Sequence, residues 1–218
     1  LMYFIFSVWG GLVGLSLSLF IRLELGQGGL WVGDEYLYNM VVTAHAIFMV
    51  FFLVMPFFMG GVGNWILPMV LGLKDMALPR LNNLSFLVFM LAMVVLVLSL
   101  CLGMGATGWT LYPPLVLMEY SDLFSVDMMI ISLHMAGLSS ILGSINIIVS
   151  SVMGSKDLGG FDRICLIVWS LVITSILVVV SVPVLAGGLS MVLMDRHLGT
   201  SYFNPCGGGS PVLYQHLF

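Results

Sequence analysis

The amino-acid sequence predicts an all-α fold, a polytopic transmembrane helix bundle. Two observations carry that prediction. Of the 218 residues 61% are hydrophobic and only 7% are charged, with a mean hydropathy of +1.17, whereas soluble domains are nearer half apolar and about a quarter charged. The few charges also divide the chain into long apolar runs rather than short alternating ones, which excludes a β-barrel. This composition excludes a soluble globule and a disordered chain. Six Lys and Arg leave no basic surface for a phosphate backbone, so no nucleic-acid partner is expected and the lipid bilayer is.

The charge-free runs are 1–21, 36–73, 81–118, 128–155, 164–194 and 197–218. A helix needs about 20 apolar residues to cross the hydrocarbon core. The first run supplies one span. The second is long enough for a span with a turn or two to spare. The third must break near residue 102, where Gly103, Gly105 and Gly108 precede Pro113-Pro114. The fourth and fifth supply one span each. The sixth opens on Gly207-Gly208-Gly209 and Pro211 and holds the first turns of a helix. The expectation is five spans and the start of a sixth, forming one partial domain over 1–218, cut at both ends.

The loops after spans two and four carry Lys74 with Arg80 and Lys156 with Arg163. The loop after span three is acidic, with Glu119, Asp122 and Asp127. The positive-inside rule places the two basic loops and the N-terminus inside. Cys101, Cys165 and Cys206 show no ligand spacing and read as inert small residues. The 17 methionines read as apolar filler. The glycines within 26–33, 60–63 and 103–108 read as turns or close helix contacts, since none has the context of a phosphate loop.

An ionisable residue at membrane depth costs about 2.5–3.5 kcal/mol on insertion scales and is a functional candidate by default. His45 follows Asp34-Glu35 by ten residues, which places it roughly 15 Å into the membrane. Two readings stay open on the residue alone. It bonds another helix, or it ligates a haem iron through one ring nitrogen while an acceptor holds the other. Tyr38 lies on nearly the same face seven residues earlier, Arg22 closes span one, and Trp109 and Tyr112 open the outer loop. These are donors for anionic propionates, or members of an interfacial aromatic belt. On the inside, Asp75, Asn64, Asn82, Asn146, Ser139 and Ser140 trace a polar line toward the midplane. They suit a proton entry path, or ordinary interhelical hydrogen bonding. His134 reads as a satisfied structural histidine and His197, beside Arg196, as a solvated loop residue.

These residues sit in longer stretches that resemble subunit 1 of cytochrome c oxidase, in the haem–copper oxidase family. They are 21–27 (IRLELGQ), Tyr38-Asn39 with 42–46 (VTAHA), 60–68 (GGVGNWILP), Asp75-Met76-Ala77 with Pro79-Arg80 and Asn82-Asn83, and 108–110 (GWT) with Tyr112-Pro113-Pro114. Ser132-Leu133-His134 with 137–143 (GLSSILG) and 205–218 (PCGGGSPVLYQHLF) complete them. The resemblance runs end to end in constant spacing, to the mitochondrially encoded form, and covers less than half of a twelve-helix fold.

The resemblance implies an enzyme of the mitochondrial inner membrane that reduces oxygen to water with electrons from cytochrome c and pumps protons. Its implied partners are subunits 2 and 3 and further subunits, with cytochrome c docking through subunit 2. His45 matches an axial ligand of the low-spin haem a, Arg22 the formyl partner, and Tyr38 and Trp109 the propionate side. Asp75 matches the mouth of a proton pathway lined by Tyr3, Asn64, Asn82, Ser139, Ser140 and Asn146. Glu24 and Gly29 match part of a peripheral sodium or calcium site. No catalytic residue falls within 1–218, because the ligands of haem a3, copper B and magnesium match positions after Phe218. Gly28, Asn204, Cys206 and Ser210 depart from the family pattern. The competing expectations are a quinol oxidase of the same superfamily and a non-redox transporter or channel.

Overall fold

A computed structural model describes residues 1–29, 31–121, 124–157 and 159–218. Its helices are α1 (Met2–Leu25), α2 (Glu35–Leu71), α3 (Pro79–Cys101), α4 (Phe124–Asp157), α5 (Leu166–His197) and the short α6 (Pro211–Leu217). Single 3₁₀ turns lie at Phe161–Arg163 and Pro205–Gly207. No strand occurs among the described residues. The first five helices are long and apolar enough to cross a membrane, and α6 is the start of a sixth. The predicted all-α multi-pass bundle is the fold observed.

Local chemistry explains the helix boundaries. Asp34 caps α2 by accepting from the Tyr36 and Leu37 amides. α2 stops where Gly72, at φ +67°, takes the left-handed conformation that closes a helix without a Cβ penalty. Pro79 opens α3 at its first turn, where no amide is needed. α3 ends at Cys101, as the glycines of 103–108 require.

Two boundaries differ from expectation. α4 begins at Phe124, so Asp127 lies in its first turn rather than in a loop, and α5 runs on through Asp195, Arg196 and His197. Asp127 pairs with Arg196 at 2.6 Å, which neutralises both charges and lets the helices extend past them. His197 is not a free loop residue either: its Nε2 lies 2.9 Å from the second Asp127 oxygen. Asp122, the third member of the expected acidic loop, lies outside the described residues.

The middle of α2 is π-helical over Phe48–Val54 and Pro56–Gly63. Pro56 lacks the amide that an α-helical turn would use here, and widened turns of this kind concentrate at functional sites. α1 packs against α2, α3 along α4, and α4 along α5. Small residues bring α1 close to α2: a Cβ on Gly10 would meet the Phe52 carbonyl at 3.2 Å, and one on Gly14 the Met49 sulfur at 2.7 Å. Buried serines staple α3 to α4, Ser132 donating to the Ala92 carbonyl at 2.7 Å and Ser99 to that of Ser125 at 2.6 Å. The main core lies among α2, α3, α4 and the outer loop, around Phe48, Phe52, Phe89, Leu96, Leu111 and Met129. Leucines and valines on the outward faces remain exposed, as lipid contact requires. The three cysteines are free and exposed.

Candidate functional site

The close α1–α2 approach gives His45 its hydrogen-bond partner. Its Nδ1 lies 2.8 Å from the Gly14 carbonyl oxygen. A carbonyl only accepts, so Nδ1 donates, and the tautomer that makes this bond with a single N–H has its lone pair on Nε2. Nε2 has no partner among the described residues. This is the arrangement of a metal-ligating histidine whose far nitrogen fixes the tautomer. A haem fits these residues on that observation: one imidazole held, oriented and left with a donor atom free. No group of three or more His, Cys, Asp or Glu is placed to hold a bare metal ion among the described residues.

The surrounding candidates fall in two groups. Arg22 sits in the last turn of α1, exposed and without a hydrogen bond or ion pair among the described residues, two turns outward from Gly14. Trp109 is 37% exposed and meets Phe218 edge-on at 5.7 Å. Its loop is tied to α2, the Gly108 amide donating to Thr43 Oγ1 at 3.1 Å, two residues from His45. Tyr38 instead lines an outer cavity of about 340 Å³ with Glu24, Gly29, Asp34 and Asn39. Both Glu24 oxygens there accept backbone amides, from Trp31 at 3.2 Å and Val32 at 3.0 Å. Gly29 lies beside them at φ +108°, a backbone conformation that favours glycine.

At the end of the bundle that carries Lys74 and Asp75, a cavity of about 700 Å³ is lined by Tyr3, Gly60, Asn64, Asp75 and Asn82. Asp75 is exposed at its mouth, and one of its oxygens accepts from the Met76 amide. Asn64 Nδ2 donates to Asn82 Oδ1 at 2.9 Å. Farther in, Tyr3, Asn64, Ser85, Ser139 and Ser140 line a second cavity of about 20 Å³, which has room for about one water. The hydrogen bonds run through Ser85. Its hydroxyl donates to the Ser139 carbonyl at 2.9 Å, so its oxygen accepts from Tyr3 Oη at 2.7 Å. Ser139 returns a bond to the Ser85 carbonyl at 2.7 Å, and Ser140 donates to the Ala136 carbonyl at 2.9 Å.

Asn146 is not brought to either cavity. It is fully buried, and its Oδ1 accepts from the Leu78 amide at 3.0 Å while Ser150 accepts from that of Ala77 at 2.9 Å. The two residues hold the loop that carries Asp75. The Asn146 Nδ2 has no partner among the described residues. His134 is satisfied, Nδ1 by the Ile130 carbonyl at 2.9 Å and Nε2 by Ser190 at 3.1 Å.

Sequence reasoning missed Ser85 and the Asp127–Arg196 pair. Ser85 lies three residues after Asn82 and therefore on the same helix face, a signal that was readable. Arg196 donates to Asp127 and, at 2.5 and 2.7 Å, to the carbonyls of Val116 and Ser121. Those partners are 69 to 80 positions away, and no local pattern announces them.

The family profile described as "Cytochrome C and Quinol oxidase polypeptide I" matches residues 1–218. The chain is similar to cytochrome c oxidase subunit 1 of Pecten maximus, 48% identical over 219 residues, covering 100% of this chain and 46% of the relative. It is similar to that of Mytilus edulis at 47% over 221 residues, covering 100% of this chain and 40% of the relative. It thus spans less than half the length of these curated relatives. The match over the whole chain and the identity to these relatives agree: the chain belongs to the cytochrome c and quinol oxidase polypeptide I family, subunit 1 of the haem–copper oxidases.

Proposed function

We propose that this chain is part of the catalytic subunit of a cytochrome c oxidase, working in the mitochondrial inner membrane with subunits 2 and 3 and taking electrons from cytochrome c through subunit 2. The observation that carries the reading is the His45 tautomer, with Nδ1–H on the Gly14 carbonyl and Nε2 free. A low-spin haem a bound there supplies one-electron transfer. In this chain His45 would ligate the iron through Nε2, and the Arg22 guanidinium and the Trp109 indole N–H would be donors for the group's polar substituents. The Gly14 bond fixes the imidazole plane and makes the ligand more basic.

The inner residues move protons in this reading. Asp75 takes a proton from the inner aqueous phase. Asn64 and Asn82 order water in the larger cavity, and Tyr3, Ser85, Ser139 and Ser140 continue the line, because hydroxyls both donate and accept. Asn146 acts by holding the Asp75 loop. Glu24 and Gly29 offer part of a sodium or calcium site. Haem a3, copper B and magnesium belong to the oxygen-reducing part of the enzyme, whose ligands match no residue of 1–218.

The test uses the full-length protein in its complex. His45→Ala should abolish the bis-histidine low-spin haem spectrum, and a retained signal refutes the ligand role. Asp75→Asn should slow proton uptake several-fold with the spectrum intact, and unchanged uptake refutes the entry role. A quinol oxidase is the second reading, since the family profile spans both donors. Turnover with reduced cytochrome c against quinol separates them. A non-redox channel would use the inner cavities alone and would carry no haem.

A further inference from the structure

We propose that Thr43 and Tyr214 are positioning residues that clamp Trp109 at a set distance from His45, a proposal that rests on the haem reading above. Trp109 is 37% exposed, and its ring has an edge contact to Phe218. Its backbone is held on both sides. The Gly108 amide donates to Thr43 Oγ1 at 3.1 Å, and the Thr110 carbonyl accepts from Tyr214 Oη at 2.8 Å.

Both clamping side chains are almost wholly buried. The Thr43 hydroxyl proton goes to the Asn39 carbonyl at 2.8 Å, so its oxygen is left to accept from Gly108. Thr43 precedes His45 by two residues, about 3 Å along the axis. One side-chain hydrogen bond therefore ties the loop bearing the propionate-side indole to the helix bearing the ligand. Leu111 reinforces this. It holds φ at +54° with its side chain fully buried, a conformation that persists only where surrounding contacts over-determine it.

The physical consequence concerns charge. A haem propionate bonded to the Trp109 indole N–H would have its negative charge spread over that bond. If the indole moves by about 1 Å the bond is lost, since hydrogen bonds weaken steeply with length and angle. The unshared charge would then favour the ferric state and lower the midpoint potential.

The experiment measures the full-length protein in its complex, by low-spin haem redox titration and by amide hydrogen exchange over 104–112. Thr43→Val removes the acceptor at nearly constant shape. It should keep the bis-histidine spectrum, lower the midpoint potential, and speed exchange at Gly108 at least tenfold. Thr43→Ser should restore the wild-type potential and exchange, which loss of a merely structural methyl would not do. Tyr214→Phe should shift the potential the same way, and it carries the test alone if Thr43→Val does not accumulate. Wild-type potential and exchange in Thr43→Val and Tyr214→Phe, with the spectrum lost in His45→Ala, overturn the clamp and leave the haem reading standing. A Thr43→Ser variant that behaves as Thr43→Val also overturns the clamp. A low-spin spectrum retained in His45→Ala overturns both.

Discussion

Replacing Arg196 by methionine tests how the outer ends of α4 and α5 are held. The Arg196 side chain is fully buried and that of Asp127 is 8% exposed. Arg196→Met keeps the apolar stem and deletes a guanidinium that donates to Asp127 Oδ1, Val116 O and Ser121 O at 2.5–2.7 Å. Breaking a buried ion pair from one side costs about 3–5 kcal/mol, because the surviving charge stays buried. His197 still reaches the second Asp127 oxygen at 2.9 Å, which keeps the expected cost nearer the lower end of that range. Asp127→Leu alone removes the carboxylate opposite a buried guanidinium and should destabilise in the same direction, with the carbonyls of Val116 and Ser121 still accepting from Arg196. The double variant strands neither charge and should cost less than the sum by about 2–3 kcal/mol. The assay is denaturant-induced unfolding of the full-length protein in lipid bicelles, run as a double-mutant cycle. Additivity within about 0.5 kcal/mol refutes the reasoning, since coupled partners cannot be additive.

Two further perturbations probe the inner line, and both should leave the low-spin haem spectrum unchanged. Gly60→Val puts a Cβ about where the Tyr3 ring lies, 2.5 Å from its Cδ1, so Tyr3 should leave Ser85 and proton uptake should fall several-fold; unchanged uptake removes Tyr3 and Ser85 from the path. Asn146→Leu strips the acceptor from the Leu78 amide, at about 1–3 kcal/mol, and should speed amide exchange over 75–78 while slowing uptake; wild-type exchange there contradicts its role as the loop's anchor.

The candidate site was legible in part. His45 stood out because a histidine ten residues past an acidic pair, in an apolar run, is costly enough to need a reason. The inner polar line was legible for Asn64, Asn82, Ser139 and Ser140 because amides and hydroxyls are conspicuous in a membrane helix. Asn146, read as part of that line, accepts from the Leu78 amide and borders neither cavity. Its helical phase with Ser139 is right, but the loop of 75–78 folds over α4 and takes its oxygen first. Asp127 and His197 were read as loop residues because a charge normally ends a span. The Arg196 pairing removes that penalty, and charge pairing between helices cannot be seen along one of them.

Hydropathy and length alone determine that this chain is a bundle of five membrane helices and the start of a sixth. Burying apolar surface in lipid and satisfying every backbone bond within a helix are properties of each segment by itself. Which nitrogen of His45 is free, which serine joins Tyr3 to Ser139, and which arginine neutralises Asp127 are decided only in the tertiary structure. Each depends on atoms from two helices meeting within about 3 Å, a distance set by small residues at crossings such as Gly14 and Gly60 rather than by any local pattern.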